Sequence, residues 1–81
     1  MQLPNGLRLF TADVIDEDTG VQEFWSIVGE TYETALQMFV EWANEYWREY
    51  TYYFYAADDD AIEDFIECHD GEDIEIGMYD R

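Results

Sequence analysis

The sequence predicts an α+β domain of two layers, with a four-stranded mixed sheet and two helices on one face, in the order ββαβαβ. Three observations predict it. Apolar residues recur at helical spacing between residues 32 and 47, and again in a shorter stretch ending near residue 68. Four other stretches, 7–15, 21–28, 50–56 and 73–79, hold β-branched or aromatic residues between turn signals. With 81 residues the chain can enclose one hydrophobic core and no second, so residues 1–81 are read as a single domain.

Pro4, Asn5 and Gly6 make a turn-prone entry, and the runs Leu7 to Ile15 and Val21 to Val28 flank Asp16-Glu17-Asp18-Thr19-Gly20, which reads as a hairpin. Pairing Ile15 with Val21 would set Asp13 opposite Glu23, a destabilising like-charge pair that a bulge at Gly20 can shift out of register. Gly29 breaks the second strand. Thr31 caps a helix over Tyr32 to Trp47, whose Ala35, Leu36, Phe39, Val40, Ala43, Tyr46 and Trp47 form the inward stripe. Tyr50 to Ala56 is apolar on both alternating faces, which places it centrally in the sheet. Asp58, Asp59 and Asp60 cap a short helix to Cys68 with Ile62, Phe65 and Ile66 inward, and Gly71 closes it. The last strand runs from Asp73 to Tyr79, with Ile74, Ile76 and Met78 inward and Asp73, Glu75 and Tyr79 outward.

Charge is the outlying property. Against 21 Asp and Glu stand only Arg8, Arg48 and Arg81, with no lysine, for a net −18. Such self-repulsion opposes a compact state, so the charge is expected to serve something outside the fold. The same field opposes direct binding to nucleic acid or to an anionic membrane, and the expected partner is a basic surface. The chain is nonetheless 48% hydrophobic and 19% aromatic, enough apolar surface to fold rather than behave as a disordered acidic tail. Cys68 has no second cysteine to pair with, and MQLPNGLRLF lacks the charged and apolar regions of a secretory signal. A cytoplasmic, soluble protein with no membrane span is expected.

Catalysis by a nucleophile needs a base and an orienting group within reach, and Ser26, Cys68 and His69 are the lone serine, cysteine and histidine. Adjacent helical positions point Cys68 and His69 about 100° apart. A semi-buried thiol beside a helix-terminal histidine is the expectation, and no catalytic residue is assigned. Paired carboxylates abound, but so short a chain leaves little room for a substrate cleft. The loop from Asp16 to Gly20 begins like a calcium-binding EF-hand. Its glycine is nevertheless fifth rather than sixth and no helix precedes it, so neither metal nor cofactor is expected.

What the sequence does contain is acid at regular spacing, concentrated in the last 24 residues, where 11 are Asp or Glu. Helical pairs such as Asp59/Glu63, Asp60/Asp64 and Glu63/Glu67 rise about 6 Å, and strand neighbours such as Asp73/Glu75 lie about 6.6 Å apart. These spacings approach that of successive phosphates along a nucleic-acid strand, and an Arg- and Lys-lined groove would be attracted to them in the same way. Asp58, Asp59, Asp60, Glu63, Asp64, Glu67, Asp70, Glu72, Asp73 and Glu75 are therefore the candidate partner-binding acids. Large aromatics also exceed what one small core can bury. Tyr53, Tyr55 and Tyr79 are the candidate aromatic contacts, suited to arginine through cation–π attraction. The competing use of exposed aromatics is to cover the open sheet face or a homodimer interface.

In size, charge, absence of lysine and acid rows such as Asp58-Asp59-Asp60 with Glu63, Asp64 and Glu67, the chain resembles the acidic inhibitors of bacteriophages and mobile elements. These are the DNA-mimic antirestriction proteins, anti-CRISPR proteins and uracil-DNA glycosylase inhibitors. The resemblance is one of class and carries no signature motif. It implies a mechanism: occupy the DNA-binding surface of a nuclease, CRISPR effector or repair enzyme and exclude its substrate. An acidic immunity protein or antitoxin that covers a basic nuclease would use the same residues. A halophile's ordinary domain would carry the acidity for solubility in concentrated salt, and would unfold in dilute buffer.

Overall fold

The computed structural model describes Leu3, residues 5–69 and residues 73–80. Six elements follow in the predicted order: β1 (Arg8–Asp16), β2 (Gln22–Gly29), α1 (Tyr32–Tyr46), β3 (Tyr50–Ala56), α2 (Asp59–Cys68) and β4 (Gly77–Asp80). The fold is α+β, with one four-stranded sheet in the order β3-β1-β2-β4.

Every neighbouring pair in the sheet is antiparallel, which corrects the mixed sheet expected from the sequence. The reason lies in the crossover. Helix α1 links β2 to β3, which run the same way, but β1 lies between them, so no two parallel strands touch. Strand β3 is thereby an edge rather than the central strand its apolar faces suggested.

The β1–β2 hairpin avoids the Asp13/Glu23 clash by a one-residue shift. Ile15 pairs with Gln22, Val14 with Glu23 and Asp13 with Phe24. Gly20 makes the shift, because its φ of 76° lies in the left-handed region that costs a side-chain-bearing residue energy. The backbone N–H of Asp16 then donates to the Val21 carbonyl at 2.9 Å, and the Asp18 N–H donates to Asp16 Oδ1 at 2.9 Å.

Side chains alternate along a strand, so adjacent residues report opposite faces of the sheet. Phe10, Ala12 and Val14 of β1 pack with Ile27 of β2, Phe54 of β3 and Ala35, Phe39 and Ala43 of α1. Leu9 and Val28, their immediate neighbours in sequence, pack instead with Ile62 and Phe65 of α2. The two helices therefore lie on opposite faces, not together on one. Helix α1 and the sheet form the main two-layer body. Helix α2 crosses the other face because Leu9 and Val28 would leave an apolar patch there in water.

Helix α1 starts where the sequence places it. Thr31 Oγ1 accepts from the Thr34 N–H at 3.2 Å, and Thr34 Oγ1 accepts from the Thr31 N–H at 3.1 Å, so each caps the other. Most of the aromatic surplus is used on this side. Trp25 and Trp42 meet at 4.5 Å between ring centres, Trp42 and Tyr46 stack at 4.9 Å, and Trp47 is buried at the helix end.

The last strand is shorter than predicted. It begins at Gly77, which pairs with Val28. Residues 73–76 would pair with Gly29 and the residues after it, where β2 ends and the chain turns toward α1, so they lack a ladder. Met78 packs on the α1 side as expected, but Ile76 is exposed.

Candidate acidic interface

Helix α2 owes its position to its two stripes. Asp58, at the N-cap, accepts the Ala61 N–H at 2.8 Å, and Asp59 and Asp60 sit in the first turn, where the helix dipole favours negative charge. Ile62 and Phe65 point to the sheet and are buried. On the outer side Asp60, Glu63, Asp64 and Glu67 fall at i, i+3, i+4 and i+7, and all four are exposed. These four charges span seven helical rises, about 10.5 Å, or about 3.5 Å of axis per charge; a single DNA strand presents one per ~3.4 Å.

Asp73 and Glu75 are exposed on the segment before β4. Ile74 between them packs into the α2 cluster, and its carbonyl accepts from Asn5 Nδ2 at 2.6 Å. Their charge thus joins the α2 side of the molecule. Asp70 and Glu72 lie outside the described residues, as does Gly71.

The two candidate tyrosines of β3 lie on the same sheet face as α2. Tyr53 is opposite Asp13, which is opposite Phe24; Tyr55 is opposite Thr11, which is opposite Ser26. Helix α2 covers the end of this face at Leu9 and Val28 and stops short of the rest. The uncovered part is a floor in which Tyr53 is 67% exposed, Phe24 44% and Ile15 40%. The rings of Tyr53 and Tyr55 lie 5.1 Å apart. A groove of about 280 Å³ runs under α2, lined by Leu9, Thr11, Ser26, Asp64, Phe65 and His69.

Tyr79 does not join the exposed aromatics. Its ring meets Phe65 edge-on at 5.1 Å and His69 at 5.2 Å, and its hydroxyl donates to the Glu75 carbonyl at 2.9 Å. It fastens the segment before β4 beneath α2: Tyr79 lies on the sheet face opposite Met78, as strand alternation expects, and α2 covers that face. His69 also packs on Phe65 at 4.4 Å, whereas the Cys68 thiol is exposed rather than semi-buried.

Sequence reasoning missed Asp13, Ile15 and Phe24 as parts of this floor. Asp13 is the notable omission: its Oδ1 is buried without a hydrogen-bond partner, in the middle of an interior strand. The signal was present in the alternation Leu9, Thr11, Asp13, Ile15, but which face α2 would cover was needed to read it. Among the described residues no three His, Cys, Asp or Glu side chains are grouped to hold a metal ion. No helix among them is long and apolar enough to cross a membrane.

No protein-family model, curated protein or solved structure matches the chain.

Proposed function

We propose that this chain is an anti-defence inhibitor of the kind phages encode. In this reading it acts as a DNA mimic that occupies the positively charged nucleic-acid-binding surface of a nuclease, CRISPR effector or repair enzyme. The observation that carries the proposal is the α2 stripe, whose charge per length is close to that of one DNA strand. It stands on the outer side of a folded helix whose inner side is fixed to the sheet by Ile62 and Phe65.

The stripe is costly to the fold. Like charges at i, i+4 repel, and Glu67 sits in the last turn, where the dipole disfavours an anion; no basic residue stands in that turn to compensate. A solvated helix face needs no such arrangement. A cationic groove rewards it, by Coulomb attraction and by releasing the counterions that the acids hold. The aromatic floor beside it, with Tyr53 and Tyr55, offers ring faces to arginine side chains from the same groove. The protein itself does no chemistry in this scheme, binds no nucleic acid directly and acts in the cytoplasm where its target works.

The test is an inhibition panel. Purified nucleases, repair glycosylases and CRISPR effectors are assayed for duplex binding with and without the chain, at low and physiological salt. The proposal expects at least one enzyme to lose DNA binding, more strongly at low salt. Indifference of every enzyme, or inhibition that leaves DNA bound, overturns it.

A further inference from the structure

We infer that β3 is a self-pairing edge: two copies of the chain join antiparallel along Tyr50–Ala56, about a two-fold axis at Tyr53, into one continuous sheet. This inference does not depend on the function proposed above.

The outer side of β3 is open. Ala57 N–H donates to the Leu9 carbonyl at 3.1 Å and the Glu49 carbonyl accepts from Glu17 N–H at 2.9 Å, in register with the β1–β3 ladder. Odd positions therefore turn their backbone groups toward β1, and Tyr50, Tyr52, Phe54 and Ala56 turn theirs outward. Among the described residues nothing accepts from or donates to those outward groups.

Natural sheets protect such an edge with lysine, proline, an inward charge, a bulge or a short strand. The other edge, β4, has only four residues and ends in Asp80. β3 has seven residues and lies in the longest uncharged run of the sequence, Tyr50 to Ala57, in a chain of net −18. An edge meant to face water here would be expected to carry some of that acid.

Charge also selects a second copy as the occupant. With Tyr53 on the axis, Tyr52 meets Phe54 and Tyr50 meets Ala56, so all four outward residues are paired with their own kind of backbone group. Just past the strand ends, Arg48 comes opposite the second copy's Asp58, on both sides of the axis. Glu49 falls opposite Ala57. This register thus sets two opposite-charge pairs at the ends and no acid against acid along the strand. Because the alternation of faces is kept, both α2 helices and both Tyr53 rings stand on one side of the joined sheet.

Overall repulsion between two acidic chains opposes this pairing. Salt shortens the screening length from about 8 Å at physiological strength to about 3 Å at 1 M, so the pairing tightens as salt rises. That sign is opposite to the salt dependence of binding to a basic partner.

The experiment is sedimentation over a wide range of protein concentration at physiological and at molar salt, with amide hydrogen exchange in parallel. The expected result is a dimer favoured by salt, with concentration-dependent protection of the Tyr52 and Phe54 amides, whose N–H groups point outward. Tyr53→Lys, at an exposed position beside Asp13, should raise the dimer dissociation constant about tenfold or more while circular dichroism shows the fold kept. Arg48→Asp, which sets like charges at both ends, should weaken it without touching the strand. A chain that stays monomeric at molar salt overturns the inference. So does a dimer that is insensitive to Tyr53→Lys or leaves the Tyr52 and Phe54 amides unprotected.

Discussion

Replacing Asp60, Glu63, Asp64 and Glu67 by Asn, Gln, Asn and Gln should move stability and binding in opposite directions. The substitutions keep side-chain size, and the four positions are exposed. They break five like-charge contacts, Asp59/Glu63, Asp60/Asp64 and Glu63/Glu67 at i, i+4 and Asp60/Glu63 and Asp64/Glu67 at i, i+3, each costing about 0.2–0.5 kcal/mol. Losing Asp60 from the first turn and Glu67 from the last changes the dipole interaction by similar amounts of opposite sign, so these effects offset each other. The fold should gain about 1–2 kcal/mol, and for a domain of this size each kcal/mol raises Tm by roughly 4–8 °C. Binding to a basic enzyme should meanwhile fall, chiefly through the association rate, and its dependence on salt should flatten. Thermal unfolding by circular dichroism and binding kinetics at two salt concentrations read the two quantities separately. A quadruple variant that unfolds more easily, or that binds as the parent does, refutes the assignment of this stripe to function.

Four further outcomes test the structure around it. A Cβ at Gly29 would lie 2.9 Å from the Ala35 Cβ, so Gly29→Ala should destabilise by about 1–3 kcal/mol, read by urea denaturation. Phe39→Ala, at a fully buried position facing Phe54 and Tyr52, should cost about 3–5 kcal/mol in the same assay. Asp13→Val removes the orphaned carboxylate oxygen from an interior strand between Phe24 and Tyr53, and should stabilise by about 1–3 kcal/mol. Burial, with the neighbouring Tyr52 adding to it, raises the Tyr50 phenol above its ordinary value, so the folded state holds that proton more tightly. The stability this contributes is fully present below the ordinary tyrosine range and is lost as pH rises through the folded value; ultraviolet titration of the parent and of Tyr50→Phe should differ by a late-titrating phenol.

Elements with strong local signals were legible in the sequence. Thr31 and the 3.6-residue recurrence of Ala35, Phe39 and Ala43 fixed α1 almost to the residue, and Asp58 fixed the start of α2. What local signals could not show was how elements meet. Tyr50–Ala56 is apolar on both faces in a central strand and in an edge strand alike, and only the crossover of α1 past β1 decides between them. The run Leu7 to Ile15 read as one strand, but that Leu9 and Phe10 serve different helices follows from alternation only once α2 is known to cross the sheet. Tyr79 looked outward because both helices were expected on the face of Met78; the strand alternates as expected, but α2 covers the other face. For the site, the α2 acids were legible because charge on a helix follows from spacing. The floor of Asp13, Ile15 and Phe24 was not, since its exposure depends on where α2 stops.

If the acidic stripe takes the place of nucleic acid, DNA must compete with the chain for its target. With an enzyme that the chain inhibits, duplex DNA is titrated against a fixed enzyme–inhibitor complex at several salt concentrations. A DNA mimic makes the apparent inhibition constant rise in proportion to DNA and inhibitor affinity fall steadily with the logarithm of salt. An inhibition constant unmoved by DNA, together with affinity unmoved by salt, would contradict it.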